Sequence, residues 1–164
     1  SLLNYMATDN QKKRILFVCQ YFYPEVFRGN DIAFHWAEEG HEVHVVTGVP
    51  NYPDGVFHKG YGVFKKRQET IKGVHVTHLP IVPRGNDSKI MLMLNYFSYF
   101  IVACMCVLWK VFADSFKGFL GFKKSFEFDF VFCQQLSPVM MSLPAVLYKK
   151  LKKVLLYTLS LIHI

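Results

Sequence analysis

Between Arg14 and Gln20 the chain reads Arg-Ile-Leu-Phe-Val-Cys-Gln, a near-continuous apolar run of strand length, and this run constrains the fold more than any other feature. A strand with one solvated face alternates apolar and polar residues, whereas a run without alternation belongs to a strand buried on both faces, as in a parallel sheet covered by helices. The residues that follow fit such a sheet. Asn30 is expected to cap a helix over 31–39 that places Ile32, Ala33, Trp36 and Ala37 on one face and Gly40 at the C′ position. Residues 41–47 (His-Glu-Val-His-Val-Val-Thr) form a second strand and close a β-α-β unit. A third strand is expected at 74–79 and a fourth at 128–133. Ser137 with Pro138 opens another helix, whose closing lysines (149, 150, 152 and 153) favour the negative end of its dipole. A further strand begins at 154. The alternation predicts an α/β fold, a Rossmann-like doubly wound parallel sheet, as one domain over residues 13–158. Residues 1–12 read as a leader, with Met6 as a candidate start.

Residues 90–109, IMLMLNYFSYFIVACMCVLW, are uncharged and about as long as the ~20 residues that span a bilayer. A single crossing would separate the first three strands from the fourth, so that they could not share a sheet. The expected arrangement is a helix lying in the membrane interface or a re-entrant hairpin, with a helix buried in the core as the competing reading. The next stretch favours membrane contact. Phe112, Phe116, Phe119 and Phe122 recur at helical spacing beside Lys117, Lys123 and Lys124, so that rings can enter lipid while ammonium groups meet headgroups. A membrane surface, met by the Ile90–Phe126 segment as a helical insertion, is therefore an expected partner.

Composition points the same way. Apolar residues make up 52% of the chain and charged residues 19%, above and below the usual shares for a soluble domain. The net charge of +7 comes from short clusters at 12–14, 65–67, 123–124 and 149–153, which suit an anionic partner. These clusters flank apolar segments and do not form one basic face, so an acidic membrane surface fits and nucleic acid is not expected. Four cysteines and seven histidines show no metal-ligand spacing, so no metal site is expected and the thiols read as reduced ones of a cytosolic protein.

Ligands of an open parallel sheet sit outside the carboxyl ends of its strands. The first such loop carries Tyr21, Phe22, Tyr23 and Pro24, then Arg28, Gly29, Asn30 and Asp31 at a helix N-terminus, where backbone N–H groups and an arginine can hold a hydroxyl-rich or anionic ligand. The second, GVPNYPDGVFHKGYG, offers Asn51 and Tyr52 beside Pro53, hydrogen bonds next to an apolar ring as sugar recognition requires. The third places Arg84 after Pro83, and the fourth offers Gln134, Gln135 and Ser137. The Gly-x-Gly-x-x-Gly turn of dinucleotide sites is absent, so no nicotinamide or flavin cofactor is expected. No catalytic residue declares itself.

Taken in order, RILFVCQYFYPEVFRGNDIA, GHEVHVVTGVPNYPDG, LPIVPRGNDS, LNYFSYF and QLSPVMMSLPAVLYKKLKK resemble the N-terminal half of family 4 glycosyltransferases. They are most similar to the bacterial branch that builds capsular, O-antigen and colanic-acid-type polysaccharides, including amino-sugar transferases. The resemblance implies the acceptor-side domain of a two-domain GT-B fold. It implies a retaining enzyme that moves a sugar from a nucleotide sugar to an acceptor, often lipid-linked, without an essential metal, and that works in the cytoplasm on the inner face of the plasma membrane. Arg28, Gly29, Asn30, Asp31, Asn51, Tyr52, Pro53, Arg84, Gln134, Gln135 and Ser137 are then the residues expected to bind substrate. The family's donor site lies in a C-terminal domain that this stretch of chain does not include, so the fragment is expected to be inactive alone. Residues 159–164, Leu-Ser-Leu-Ile-His-Ile, depart from the family and match the in-frame translation of a transposon-end sequencing adaptor; they read as an artefact of a truncated read. The competing class is a non-enzymatic, membrane-associated α/β binding module.

Overall fold

The computed structural model describes residues 11–85, 88–123, 125–135 and 143–160. The elements are β1 (Arg14–Cys19), α1 (Arg28–Glu38), β2 (Glu42–Gly48), β3 (Gln68–Ile71), β4 (Val74–Leu79), α2 (Lys89–Phe119), β5 (Phe130–Gln135), α3 (Leu143–Lys152) and β6 (Leu155–Ser160). They build a mixed α/β structure around one six-stranded sheet of order β3-β4-β2-β1-β5-β6. All neighbours pair parallel except β3, which runs antiparallel to β4.

β1 lies between β2 and β5, and from Ile15 onward each of its residues is at most 2% exposed. Its side chains alternate between two cores: Ile15, Phe17 and Cys19 meet Ala33 and Trp36 of α1, while Leu16 and Val18 meet Tyr99, Ala103 and Val107 of α2 and Ala145 and Tyr148 of α3. Helices on both faces are why the β1 sequence shows no alternation.

Two expectations need correction, and one strand was missed. α1 starts at Arg28, and the residue in the N-cap position is Phe27, which supplies no side-chain cap. Asn30 falls inside the first turn, where its Nδ2 donates back to the Glu25 carbonyl at 2.6 Å, because that buried carbonyl offers a partner the cap position does not. The C-terminus is as expected, with Gly40 in the left-handed region at φ +90° and donating to the Ala37 carbonyl. Second, β3 was not foreseen, since Gln68–Ile71 is short, half exposed and at the sheet edge. Its signal is the two-residue Lys72–Gly73 turn, with both φ values positive, the twist-matched connection of a β-hairpin.

Third, α2 is one unbroken helix and not a re-entrant hairpin. No proline and no glycine before Gly118 interrupts its 31 residues, and Ser88 caps it by accepting from the Met91 N–H at 3.3 Å. At ~100° per residue, the buried residues Asn95, Tyr99, Ala103, Val107 and Asp114 form one narrow stripe. The large apolar side chains Ile90, Phe97, Ile101, Met105, Leu108, Phe112 and Phe119 fall on the opposite side and are exposed. By length and hydropathy α2 could cross a membrane, yet the strands on either side of it, β4 and β5, belong to the same sheet. Asp114 anchors its far end by accepting from the N–H groups of Ser125 and Phe126. Burial would raise this carboxyl's pKa, but those donors hold it below the usual carboxylate range.

Candidate functional site

At the carboxyl ends of β1, β2 and β4 three loops are tied into one rim, and Glu25 is the knot. The first loop turns through a hydrogen bond from the Glu25 N–H to the Phe22 carbonyl at 3.1 Å, which carries the side chain inward. There Oε1 accepts from the backbone N–H groups of Asn51 at 2.8 Å and Tyr52 at 2.6 Å. Asn51 in turn donates to the Val49 carbonyl and accepts from the Arg84 N–H at 2.9 Å, which joins the third loop to the second. The Arg84 guanidinium stands over the Tyr52 ring at 5.4 Å, and the Tyr52 ring packs against Tyr21 and Phe27. Burial pushes the Glu25 carboxyl up to about 7, against the pull of the two N–H donors and of His58. Its second oxygen, Oε2, is buried with no hydrogen-bond partner among the described residues.

Across the boundary between β1 and β5, Gln134 lies against the first turn of α1. Its approach needs Gly29: a Cβ at that position would fall 1.8 Å from the Gln134 Oε1. Gln134 is 4% exposed, and among the described residues both atoms of its amide lack partners, as does the buried Oδ1 of Asn30. Each such orphan costs about 1–3 kcal/mol if nothing meets it, so a cluster of them at one sheet edge marks a place where a ligand or water completes the bonds. One amide donor with several acceptors suits hydroxyl groups, which both donate and accept.

Of the residues named from the sequence, the structure places Gly29, Asn30, Asn51, Tyr52, Arg84 and Gln134 on this rim or beneath it. Arg28, Asp31 and Pro53 are exposed and take no part in the described hydrogen-bond network. Gln135 closes β5 opposite Ser160, with its side chain outside the described residues, and Ser137 lies wholly outside them. Two important residues were not foreseen, Glu25 and Asn95. Asn95, buried in α2, accepts from Gln20 Nε2 at 2.7 Å and the Tyr21 hydroxyl at 3.2 Å and donates to the Val82 carbonyl at 2.6 Å, which fastens the helix to two of the loops. Its signal was a lone amide within an uncharged apolar run. Glu25 had none, because its burial comes from backbone groups 26 and 27 residues away.

No protein-family model matches the chain, and no curated protein matches it. Among solved structures, a crystal structure of the C-terminal domain (residues 83–215) of the PF1911 hydrogenase from Pyrococcus furiosus is similar, with TM-score 0.50 and 17% identity over 90% of this chain and 91% of that chain. A second structure of the same domain (residues 78–226) gives TM-score 0.46 and 19% identity, over 90% and 92%. At such identity the likeness concerns the fold alone.

Proposed function

We propose that this chain is the acceptor-side, Rossmann-like doubly wound half of a GT-B glycosyltransferase, which in its complete form transfers a sugar from a nucleotide sugar to a lipid-linked acceptor during cell-surface polysaccharide synthesis. The observation that carries this reading is the Gln134 amide, without a partner among the described residues, against Gly29. The chain runs from β1 to β2 and β4 on one side and reaches β5 and β6 on the other, so the gap between β1 and β5 is the point where strand order reverses. Ligands of doubly wound sheets bind outside the strand ends at that point. The motif resemblance and the neutral, hydroxyl-matched character of the orphan groups supply the rest. In this reading Gln134 and Asn30 orient sugar hydroxyls. Glu25, which exchanges its proton near neutral pH, faces the acceptor. The outward apolar face of α2 holds the domain on the inner surface of the plasma membrane, where a lipid-linked acceptor is found.

That same face favours a second reading, a non-enzymatic membrane-bound module, and transfer activity separates the two. The protein expressed from the source reading frame, incubated in membranes with labelled nucleotide sugars, is expected to pass label into organic-soluble lipid. Gln134→Ala is expected to lower the rate by about 10²-fold through lost positioning. Folded, membrane-bound protein that transfers no label from any nucleotide sugar offered overturns the enzymatic reading.

A further inference from the structure

Beneath the far half of α2 lies a groove of about 1170 Å³, floored by β2, β3 and β4 and walled by the helix. It is remote from the rim of Glu25 and Gln134, none of whose residues line it. Its helix wall is apolar and open, with Met105, Trp109 and Phe112 exposed by 63%, 71% and 67%. Its lining includes three cations: Arg67 before β3, and Lys110 and Lys117 on the sheet-facing flank of α2. None of the three makes an ion pair among the described residues, although the Lys110 ammonium stands over the Phe126 ring at 5.2 Å. The two carboxylates in the lining are already occupied: Asp114 holds Ser125 and Phe126, and Glu69 holds His78 at 2.7 Å and the Tyr61 hydroxyl at 2.8 Å. Of the remaining titratable groups, His44 and His75 stack on the floor at 4.8 Å between ring centroids, with His44 bonded to Glu42, and the Cys106 thiol in the helix wall is pushed up by burial against the pull of Lys110 and Arg67.

We infer that this groove is a binding site for one anionic phospholipid of the bilayer, its phosphate among Arg67, Lys110 and Lys117 and its chains running past Met105, Trp109 and Phe112 into the membrane. The inference rests on the membrane reading above and adds to it the class and place of the lipid. Its basis is the polarity across α2. The helix face opposite the sheet is apolar and uncharged, while its cations sit on the sheet side, so a bilayer that meets the outward face brings headgroups level with them. Water alone would leave the apolar wall beside three cations that have no anionic partner among the described residues, and a neutral lipid would leave their charge unmatched. An anionic amphiphile satisfies both.

The test uses the whole chain with vesicles of phosphatidylcholine and of an equal mixture with phosphatidylglycerol. Trp109 is the reporter, since the other tryptophan, Trp36, is 1% exposed. Binding to the mixture is expected to exceed binding to phosphatidylcholine by about 10²-fold, at roughly fivefold per cation, and brominated phosphatidylglycerol chains are expected to quench Trp109. The variant R67Q/K110Q/K117Q changes two exposed side chains and the half-buried Lys110, and with its fold confirmed by an unchanged Tm it loses this preference, whereas K12Q/K59Q/K72Q, outside the groove, keeps most of it. Equal losses in the two variants overturn the site and leave the membrane reading intact. Equal binding to both vesicles, with Trp109 quenched, does the same. Binding to neither overturns both, and a dimer in vesicle-free buffer that shields Trp109 would assign the groove to a second copy instead.

Discussion

Glu25 shows how a residue's chemistry follows from what surrounds it. A carboxyl that ordinarily ionises near 4.5 is lifted to about 7 by burial, so between those values the folded chain holds a proton that the unfolded chain has lost. Protonation then favours folding: the contribution is complete below pH 4.5, declines as pH rises and is gone above 7, a change of up to ~3 kcal/mol. The His44 imidazole, which burial holds below its ordinary range, acts in the opposite sense at the acid end of this window. Urea unfolding at pH 5 and pH 8 is therefore compared between wild type and Glu25→Gln: the wild type is expected to lose stability relative to Glu25→Gln from pH 5 to pH 8, and a gap equal at both would contradict this. Glu42 behaves in the opposite sense. Hydrogen bonding to Arg14 holds it at about 2, so its smaller contribution is lost only as pH falls below 4.5, outside that window. At Gly29, an added methyl would meet the Gln134 amide. Gly29→Ala is expected to destabilise by about 2 kcal/mol, and Gly29→Ala with Gln134→Ala by less than the sum of the two single changes, measured by the same unfolding. Gly29 and Gln134 could be named from the sequence because each stands at a strand or helix end. Their contact could not, because 105 residues separate them.

Among the elements α2 departs furthest from a soluble helix, with its sheet-facing stripe nearly lost among apolar residues that face outward. Tyr99 in that stripe is fully buried, with its hydroxyl unpartnered among the described residues. Tyr99→Phe is therefore expected to stabilise by about 1 kcal/mol, while Tyr99→Ala costs about 3–5 kcal/mol. On the outward side, Phe97→Glu with Leu108→Glu is expected to leave stability within about 0.5 kcal/mol yet to weaken vesicle binding. Thermal unfolding and co-sedimentation check the pair, and a large loss of stability would mean that this face is packed in water. The sequence showed that the segment was apolar and helical. Which side met the sheet depended on Asn95, Tyr99, Ala103 and Val107 fitting β1 and β4, a matter of shape that composition does not carry.

For the molecule as a whole, stability should be graded outward from the central strands. Amide exchange is expected to be slowest in β1, β2 and β5 and at least tenfold faster over residues 49–67, where few backbone groups belong to the sheet. Mass-spectrometric exchange measures this, and uniform protection would contradict it. The strand-helix alternation, the burial of β1 on both faces, Gly40 at the end of α1 and the cluster of unusual loops were all determined by the sequence alone, because each depends on residues within a few positions of one another. Only the tertiary structure decided the edge strand β3, the straight course of α2, the burial of Glu25 and the approach of Gln134 to Gly29. Each of these is settled by competition between groups far apart in the chain, won by whichever packing buries apolar surface while leaving the fewest polar atoms without a partner.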